Sequence, residues 1–251
     1  MTLLVDIGNS RVKWARLEPH GLGEQSAAAY AGWSVTDWRE ALFAGAPVVR
    51  VVAASVAGES AAAALDAATR LVTGQPARFV ATTHAAGGVL NGYADPKLLG
   101  VDRWLAAVGA HARVRGTCVV ADIGTAATID VVAADGRHLG GYIVPGPQLM
   151  VDSLLRSTSD LASHHASSGA ARADSGFADN TRDAIERGCR LALAALVDRS
   201  VADAERAAGE RARLIVTGGA APEVLPQLRS AAEHLPDLVL RGLAVLADAP
   251  D

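Results

Sequence analysis

Two segments of the sequence have residue types and spacing suited to holding phosphate groups. In each, a short apolar run leads into Asp-Ile-Gly, and hydroxyl-bearing residues follow, first from Asp6 to Ser10 and again from Asp122 to Thr125. Glycine lets the backbone approach a ligand closely, hydroxyls hydrogen-bond to phosphate oxygens, and a carboxylate binds cations that bridge to them. We therefore interpret both segments as strand–turn–strand phosphate loops.

The repetition of this pattern bears on domain organisation. A single Asp-x-Gly is ordinary turn chemistry, and two unrelated hairpins are the alternative interpretation. Two copies, each after an apolar strand and the second near the middle of the 251-residue chain, favour a duplicated fold instead. The sequence thus predicts one domain over residues 1–114 and a second over 115–251, linked through His111 to Gly116.

Composition excludes several classes of function. Half of the residues are hydrophobic, only 4% are aromatic, and the net charge is −4 with no cluster of Lys and Arg, so nucleic-acid binding is not expected. No apolar run is long enough to span a bilayer, and the N-terminus lacks a signal segment, which predicts a cytoplasmic protein without a membrane partner. Cys118 and Cys189 are expected to be buried free thiols.

The hydrophobic pattern predicts an α/β fold with two similar halves. In the first half, strands are predicted at 2–8, 10–17, 24–30, 48–53 and 77–80, and helices at 36–43, 60–71 and from Gly100. The order βββαβαβ is that of a ribonuclease H-like domain. In the second half, strands are predicted at 117–122, 126–133, 137–144 and 214–219, and helices at 147–155, 181–208 and 238–247.

The start of the helix at Gly100 carries further candidate chemistry. Asp102 can accept a proton from a hydroxyl, although an acidic residue that complements the helix N-terminus is the ordinary alternative. Arg103 can bind an anionic substrate through directed hydrogen bonds. Both residues are predicted to lie off the apolar face formed by Val101, Trp104 and their neighbours. In the Gly-rich loop 84–100, Tyr93 is either a substrate contact or a packing residue.

Other polar residues have an ordinary structural interpretation beside a functional one. Lys13 either reaches a phosphate or is a solvated strand residue, and Thr181 either caps its helix or contacts substrate. The Gly218-Gly219 pair ends a strand where a nucleotide can lie against bare backbone, or it simply forms a turn. The adjacent His164 and His165 are expected in a surface loop rather than a metal site, since no other ligand has fitting spacing.

The complete set of motifs resembles one superfamily of kinases and ATPases. The chain has neither Gly-x-x-x-x-Gly-Lys-Ser/Thr nor Gly-x-Gly-x-x-Gly, so a P-loop enzyme or a dinucleotide dehydrogenase is not supported. Two Asp-x-Gly hairpins and a late Gly-Gly instead resemble the acetate and sugar kinase, heat-shock chaperone and actin superfamily. That resemblance implies two ribonuclease H-like (actin-like ATPase) domains with an inter-domain ATP cleft.

Within that superfamily the chain resembles the type III pantothenate kinases over nearly its whole length. The matching motifs are Asp6-Ile-Gly-Asn-Ser-Arg-Val-Lys13, Tyr93, Gly100-Val-Asp-Arg103, Asp122-Ile-Gly-Thr-Ala126, Gly140-Gly141 with Pro145-Gly146, Asn180-Thr181 and Gly218-Gly219. Ser10 departs from the threonine usual in the family but keeps the hydroxyl. The Ser/Ala-rich loop 157–178 has no family signature.

The resemblance implies ATP-dependent phosphorylation of pantothenate to 4'-phosphopantothenate, the first step of coenzyme A biosynthesis. Asp102 would be the general base on the primary hydroxyl, and Asp122 would bind the potassium or ammonium ion that the family requires. Mg²⁺ would accompany ATP, and a homodimer would complete the substrate pocket. The residues implied to bind pantothenate are Tyr93, Gly100, Val101, Asp102, Arg103 and Thr181. The residues implied to bind the ATP phosphates are Asp6, Ile7, Gly8, Asn9, Ser10, Arg11, Val12, Lys13 and Thr125.

Two other functions are compatible with the motifs. One is a kinase for another small hydroxylated substrate, because the fold alone does not select the acceptor. The other is a non-enzymatic ATP-binding regulatory or accessory protein. Asp102 argues against the second alternative, since a protein that only binds ATP needs no carboxylate beside an acceptor.

Overall fold

The structure is a computed structural model that describes residues 1–158 and 177–247. Its helices are α1 (Val35–Phe43), α2 (Glu59–Thr73), α3 (Val101–Arg113), α4 (Pro147–Ser157), α5 (Thr181–Ala208), α6 (Ala221–Val224) and α7 (Leu238–Leu246). Its strands are β1 (Thr2–Ile7), β2 (Val12–Glu18), β3 (Gly21–Leu22), β4 (Ser26–Ala28), β5 (Arg50–Ser55), β6 (Arg78–Phe79), β7 (Ala85–Ala86), β8 (Val89–Leu90), β9 (Cys118–Ile123), β10 (Ala126–Val132), β11 (His138–Pro145), β12 (Arg213–Thr217) and β13 (Ala232–His234).

The described chain divides into two compact units. The first contains Met1–Gly116, Val131–Gly140 and the chain from Asp237 onward, and the second contains Thr117–Asp130 and Gly141–Pro236. The boundary near residue 116 lies close to the predicted division between residues 114 and 115. The units do not follow that division in full, because the connection between β10 and β11 and helix α7 pack with the first unit.

The first unit is built on a mixed sheet of strand order β3-β2-β1-β5-β6, with β4 paired to β2. Strand β1 is antiparallel to β2 and parallel to β5, as expected for a hairpin followed by a helical crossover. Leu3, Val5 and Ile7 of β1 pack in one core cluster with Trp38 of α1 and Leu65 of α2. This core holds the end of β1, and therefore the first phosphate loop, in place.

Helices α3 and α7 of the first unit pack very closely. A Cβ atom at Gly109 of α3 would lie 2.7 Å from the carbonyl oxygen of Leu238, and one at Gly242 of α7 would clash with the carbonyl oxygen of Leu105. Both helices are buried along much of their length, including Arg103 to Ala110 of α3. This close packing buries α3 around Leu105 and Gly109.

The second unit contains a sheet of order β11-β10-β9-β12-β13. Strands β9 and β12 are parallel, and their paired residues include Asp122 with Thr217. Helices α4 and α5 pack on each other around Val151, Ile185 and Cys189. Both Cys118 and Cys189 are buried free thiols, as predicted.

The structure confirms the α/β class and the main strands and helices, with local differences. Part of the predicted loop 84–100 forms the β7–β8 hairpin, and the short strand β13 was not predicted. Helix α3 continues to Arg113, so His111 belongs to a helix and not to a linker. Over the described ranges, no helix combines the length and hydropathy needed to cross a bilayer.

Candidate active site

The first phosphate loop is an open turn of four residues between β1 and β2. The amide of Gly8 donates a hydrogen bond to the carbonyl oxygen of Arg11 at 3.0 Å, and Asn9 to Arg11 are exposed. The hydroxyl of Tyr30 donates to the carbonyl oxygen of Gly8 at 2.7 Å, and burial raises the pKa of this tyrosine. Tyr30 therefore fixes the turn from outside its own hairpin.

The strands on either side of this turn place two opposite charges together. Asp6, only 8% exposed, pairs in register with half-buried Lys13 across the antiparallel ladder. Paired residues on neighbouring strands lie on the same face of a sheet. The loop thus offers backbone and hydroxyl groups at its tip and a carboxylate with a lysine at its base.

The second phosphate loop is a shorter turn, with Gly124 and Thr125 between β9 and β10. The amide of Gly124 donates to the carbonyl oxygen of Ala126 at 3.0 Å, and the amide of Gly146 donates to that of Thr125 at 2.9 Å. A Cβ atom at Gly146 would clash with the carbonyl oxygen of Gly124. Backbone from the end of β11 therefore closes one side of this loop.

Two further oxygen-bearing groups, the hydroxyl of Thr217 and the carbonyl of Ile123, belong to the same region as Asp122 at the base of the second loop. Its register partner Thr217 is fully buried, and the Thr217 hydroxyl has no hydrogen-bond partner within residues 1–158 and 177–247. A Cβ atom at Gly218, which has a φ of +96°, would clash with Asp122 Oδ1 and with the carbonyl oxygen of Ile123. A carboxylate, a buried hydroxyl without a partner and a carbonyl are oxygen ligands of the kind that a hard cation binds. The residues present therefore fit a potassium or ammonium ion.

Tyr93 and Arg103 come together in the first unit, and Asp102 directly precedes Arg103 in the first turn of α3. Arg103 Nη1 donates to the hydroxyl of Tyr93 at 2.8 Å, and the guanidinium carbon lies 5.6 Å from the centroid of the Tyr93 ring. Arg103 is only 5% exposed, so the prediction that it lies off the buried face of α3 is wrong. The packing of α3 on α7 buries this helix on more than one face, which periodicity in α3 alone does not reveal.

One oxygen of the Asp102 carboxylate accepts a hydrogen bond at the start of α3, and the other oxygen is the candidate acceptor for a substrate hydroxyl. Gly100 is the N-cap of α3 and has no side chain with which to cap it, and Asp102 Oδ1 accepts from the amide of Arg103 at 2.8 Å. A Cβ atom at Gly100 would lie 2.7 Å from the same oxygen. Asp102 Oδ2 accepts no hydrogen bond from any residue that the structure describes. Half-buried Val101 is the first residue of the helix.

Thr181 is the first residue of α5 and not its cap, which corrects the ordinary interpretation of this threonine. Asn180 is the N-cap: its Oδ1 accepts from the amide of Asp183, and its Nδ2 donates to Asp183 Oδ2, both at 3.0 Å. Thr181 instead lines an apolar groove of about 730 Å³ between α4 and α5. Cys189 lines the same groove, and burial raises the pKa of its thiol.

The structure also shows residues that sequence reasoning missed. Tyr30, His138 and Thr217 each contact or pair with a predicted site residue. Tyr30 and His138 belong to no motif, and only the Gly-Gly after Thr217 signals its position. The predicted surface histidines His164 and His165 lie outside the described residues.

Solved structures with the same architecture show which fold the chain has. A candidate 2-dehydro-3-deoxygalactonokinase from Sinorhizobium meliloti has a TM-score of 0.58 at 16% identity, with 100% of both chains covered. The activator of the 2-hydroxyisocaproyl-CoA dehydratase from Clostridium difficile, solved with bound ADPNP, has a TM-score of 0.55 at 15% identity, covering 98% of this chain and 93% of that one. The fold is therefore that of the sugar kinases and actin-like ATPases.

Sequence similarity identifies the family, within this fold, to which the chain belongs. The family model described as Type III pantothenate kinase matches residues 2–203. A Type III pantothenate kinase of Azoarcus sp. (strain BH72) is 39% identical over 254 residues, which cover 99% of this chain and 91% of that protein. The chain belongs to the type III pantothenate kinase family, and it is a kinase.

Proposed function

We propose that the protein transfers the γ-phosphoryl group of ATP to the primary hydroxyl of pantothenate, giving 4'-phosphopantothenate and ADP, the first step of coenzyme A biosynthesis. Membership of the family supports this reaction. The observation that links this reaction to particular residues is the contact between Tyr93 and Arg103, with the carboxylate of Asp102 next to it at the start of α3. These residues combine a carboxylate oxygen available to a hydroxyl with a guanidinium fixed by a tyrosine.

In this reaction Asp102 orients the acceptor hydroxyl and takes its proton. The hydroxyl oxygen forms a bond to the γ-phosphorus as the bond from that phosphorus to the β–γ bridging oxygen breaks, and ADP leaves. Phosphoryl transfer depends mainly on positioning and on compensating the charge of the phosphate oxygens. Arg103 binds the pantothenate carboxylate, and Tyr93, Gly100, Val101 and Thr181 complete the binding of that substrate.

The phosphates of ATP bind to the two loops. Residues Asp6 to Lys13 supply the turn amides, the hydroxyl of Ser10 and the ammonium of Lys13, and Thr125 supplies a second hydroxyl. Backbone amides and a lysine are well suited to phosphate oxygens. Mg²⁺ accompanies ATP and neutralises part of the phosphate charge when bound.

Asp122 holds a monovalent cation, potassium or ammonium, together with the oxygens around it. Replacing potassium by sodium at constant ionic strength is expected to lower turnover, and potassium is expected to raise the melting temperature of the protein. Asp122→Asn should remove both effects of potassium. A variant that keeps the potassium-dependent melting shift would contradict this site.

We further propose a cytoplasmic homodimer. Exposed apolar side chains in the second unit, including Tyr142, Ile143, Leu154 and Leu191, support a contact with a second copy of the chain. Thr181 lines the apolar groove between α4 and α5, so a dimer contact there would help to enclose pantothenate. Free buried thiols are consistent with a reducing compartment. Sedimentation equilibrium tests the homodimer, and a monomer at micromolar concentration would contradict it. Cell fractionation tests the cytoplasmic location.

The decisive experiment compares Asp102→Asn with the wild-type protein. With Mg-ATP, potassium and pantothenate, the wild type is expected to form phosphopantothenate, and the variant to lose about 10²- to 10⁴-fold in kcat with little change in ATP binding. Glu40→Gln, on the exposed surface of α1, is the matched control. Retained turnover in Asp102→Asn would remove this carboxylate from the mechanism.

A panel of acceptors separates this function from its alternatives. ADP release with another small hydroxylated compound, but not with pantothenate, would indicate a kinase of different specificity. ATP binding without turnover on any acceptor would indicate a regulatory or accessory protein.

A further inference from the structure

The ring of Tyr93 contacts a buried histidine that comes from a distant part of the sequence. His138, the first residue of β11, is 2% exposed, and its ring stacks on that of Tyr93 with centroids 6.0 Å apart and an angle of 27° between the planes. Stacked ring pairs at this separation are favourable beyond the area that they bury. His138 thus contacts one of the side chains proposed to bind pantothenate.

The backbone around Tyr93 is held against the same segment. The amide of Leu90 donates to the carbonyl oxygen of Gly136 at 2.9 Å, and Leu90 forms a β-bridge with Arg137. A Cβ atom at Gly92 would clash with the carbonyl oxygen of His138. The chain before Tyr93 therefore runs directly along the residues that lead into β11.

The side chain of Asn91 fixes the turn that presents Tyr93. Asn91 is 5% exposed, and its Oδ1 accepts from the amide of Tyr93 at 2.9 Å. Its Nδ2 donates to the carbonyl oxygens of Thr83 at 3.2 Å and Pro96 at 3.3 Å. The backbone of Tyr93 is thus fixed by Asn91, while its half-buried ring is contacted by His138 and by Arg103.

We propose that His138 is a positioning residue for pantothenate binding. Its ring restricts the ring of Tyr93 to the orientation in which the tyrosine hydroxyl accepts a hydrogen bond from Arg103. The guanidinium of Arg103 therefore has its binding orientation before the substrate binds. A side chain that is fixed in its bound conformation loses less entropy when ligand binds. The inference rests on the proposed function, because it assigns Tyr93 and Arg103 to pantothenate.

Two substitutions at His138 distinguish the effect of ring stacking from the effect of filling the space with an apolar side chain. His138→Leu is expected to raise the KM for pantothenate by about three- to tenfold, the effect of losing one ring pair, and to leave the KM for ATP unchanged. His138→Phe keeps a ring and is expected to restore the KM for pantothenate to within about twofold of the wild type. His234→Leu, at an exposed position in β13, is the matched control.

A double-mutant cycle shows whether Tyr93 transmits the effect. In the Tyr93→Leu background, His138→Leu is expected to produce no further rise in the KM for pantothenate. Melting temperatures of every variant show whether it is folded, and His138→Gln replaces His138→Leu in the cycle if the latter does not fold. Pantothenate affinity measured by calorimetry provides the same comparison without turnover.

The outcomes distinguish this inference from the function on which it rests. If the wild type does not phosphorylate pantothenate, the proposed function fails and the role of His138 fails with it. If the wild type is active, an equal rise in both KM values, an unchanged KM for pantothenate, or full additivity with Tyr93→Leu would overturn the positioning role alone.

Discussion

The loop after β1 and the loop after β9 begin with the same Asp-Ile-Gly sequence, yet they differ in length and in what surrounds them. The first has four turn residues, mostly exposed, and a tyrosine hydroxyl bound to the carbonyl of Gly8. The second has two turn residues, closed in by the backbones of Gly146 and Gly218.

This difference shows that two loops with the same sequence motif can be stabilised by different kinds of contact. The first loop is supported by a side chain, through the hydrogen bond from Tyr30 to Gly8. The second is packed against two glycines, Gly146 and Gly218, at which a methyl group would overlap oxygen atoms of the loop or of the strand before it. We therefore expect the second loop to be far less tolerant of substitution than the first.

The largest expected effect comes from adding a methyl group beside each loop. Gly218→Ala would force a Cβ into Asp122 Oδ1 and the carbonyl of Ile123 at a positive φ, and should lower the free energy of unfolding by about 3 kcal/mol or more. Gly8→Ala meets only the carbonyl oxygen of Arg11, at 3.2 Å, and should cost about 1 kcal/mol or less. Urea denaturation measures both values.

The control for this comparison lies next to Gly218. A Cβ atom at Gly219 meets nothing within 4 Å, so Gly219→Ala should leave the free energy of unfolding nearly unchanged. Equal losses for Gly218→Ala and Gly8→Ala would remove the proposed contrast between the loops.

A smaller effect is expected from Tyr30→Phe, which deletes the hydrogen bond to Gly8. The loss should be about 1 kcal/mol of stability, with a rise of about two- to fivefold in the KM for ATP because the first loop is less fixed. The KM for pantothenate should not change. Ser60→Ala, which deletes an exposed hydroxyl on α2, is the control. An unchanged KM for ATP in Tyr30→Phe would show that the first loop keeps its conformation without this hydrogen bond.

The smallest effect is expected from Ser10→Thr, which replaces one hydroxyl-bearing residue by another. The hydroxyl is kept and the position is exposed, so kcat and both KM values should stay within about twofold of the wild type. Ser10→Ala should raise the KM for ATP more than Ser10→Thr does. A threonine variant as impaired as the alanine variant would mean that the shape of the turn, and not the hydroxyl, is what matters there.

Much of this arrangement was predictable because the signals are local. Apolar runs of strand length predicted β1, β9 and β12, and the residues after β1 and β9 predicted two turns. Gly100 and the helical spacing of apolar residues after it predicted the start of α3. The roles of the individual site residues stay predictions until they are tested. The burial of Arg103 was not predictable from the periodicity of α3, since it depends on tertiary contacts, among them the one with Tyr93 in the preceding loop.

By itself, the sequence determined the α/β class, the two Asp-Ile-Gly turns and the helix that begins at Gly100, because strand and turn preferences act between near neighbours. Only the tertiary structure decided which distant groups support these elements: His138 on Tyr93, Tyr30 on Gly8, and Thr217 beside Asp122. The physical reason is that ring stacking, buried hydrogen bonds and close backbone packing depend on distances in space, and separation along the chain does not set those distances.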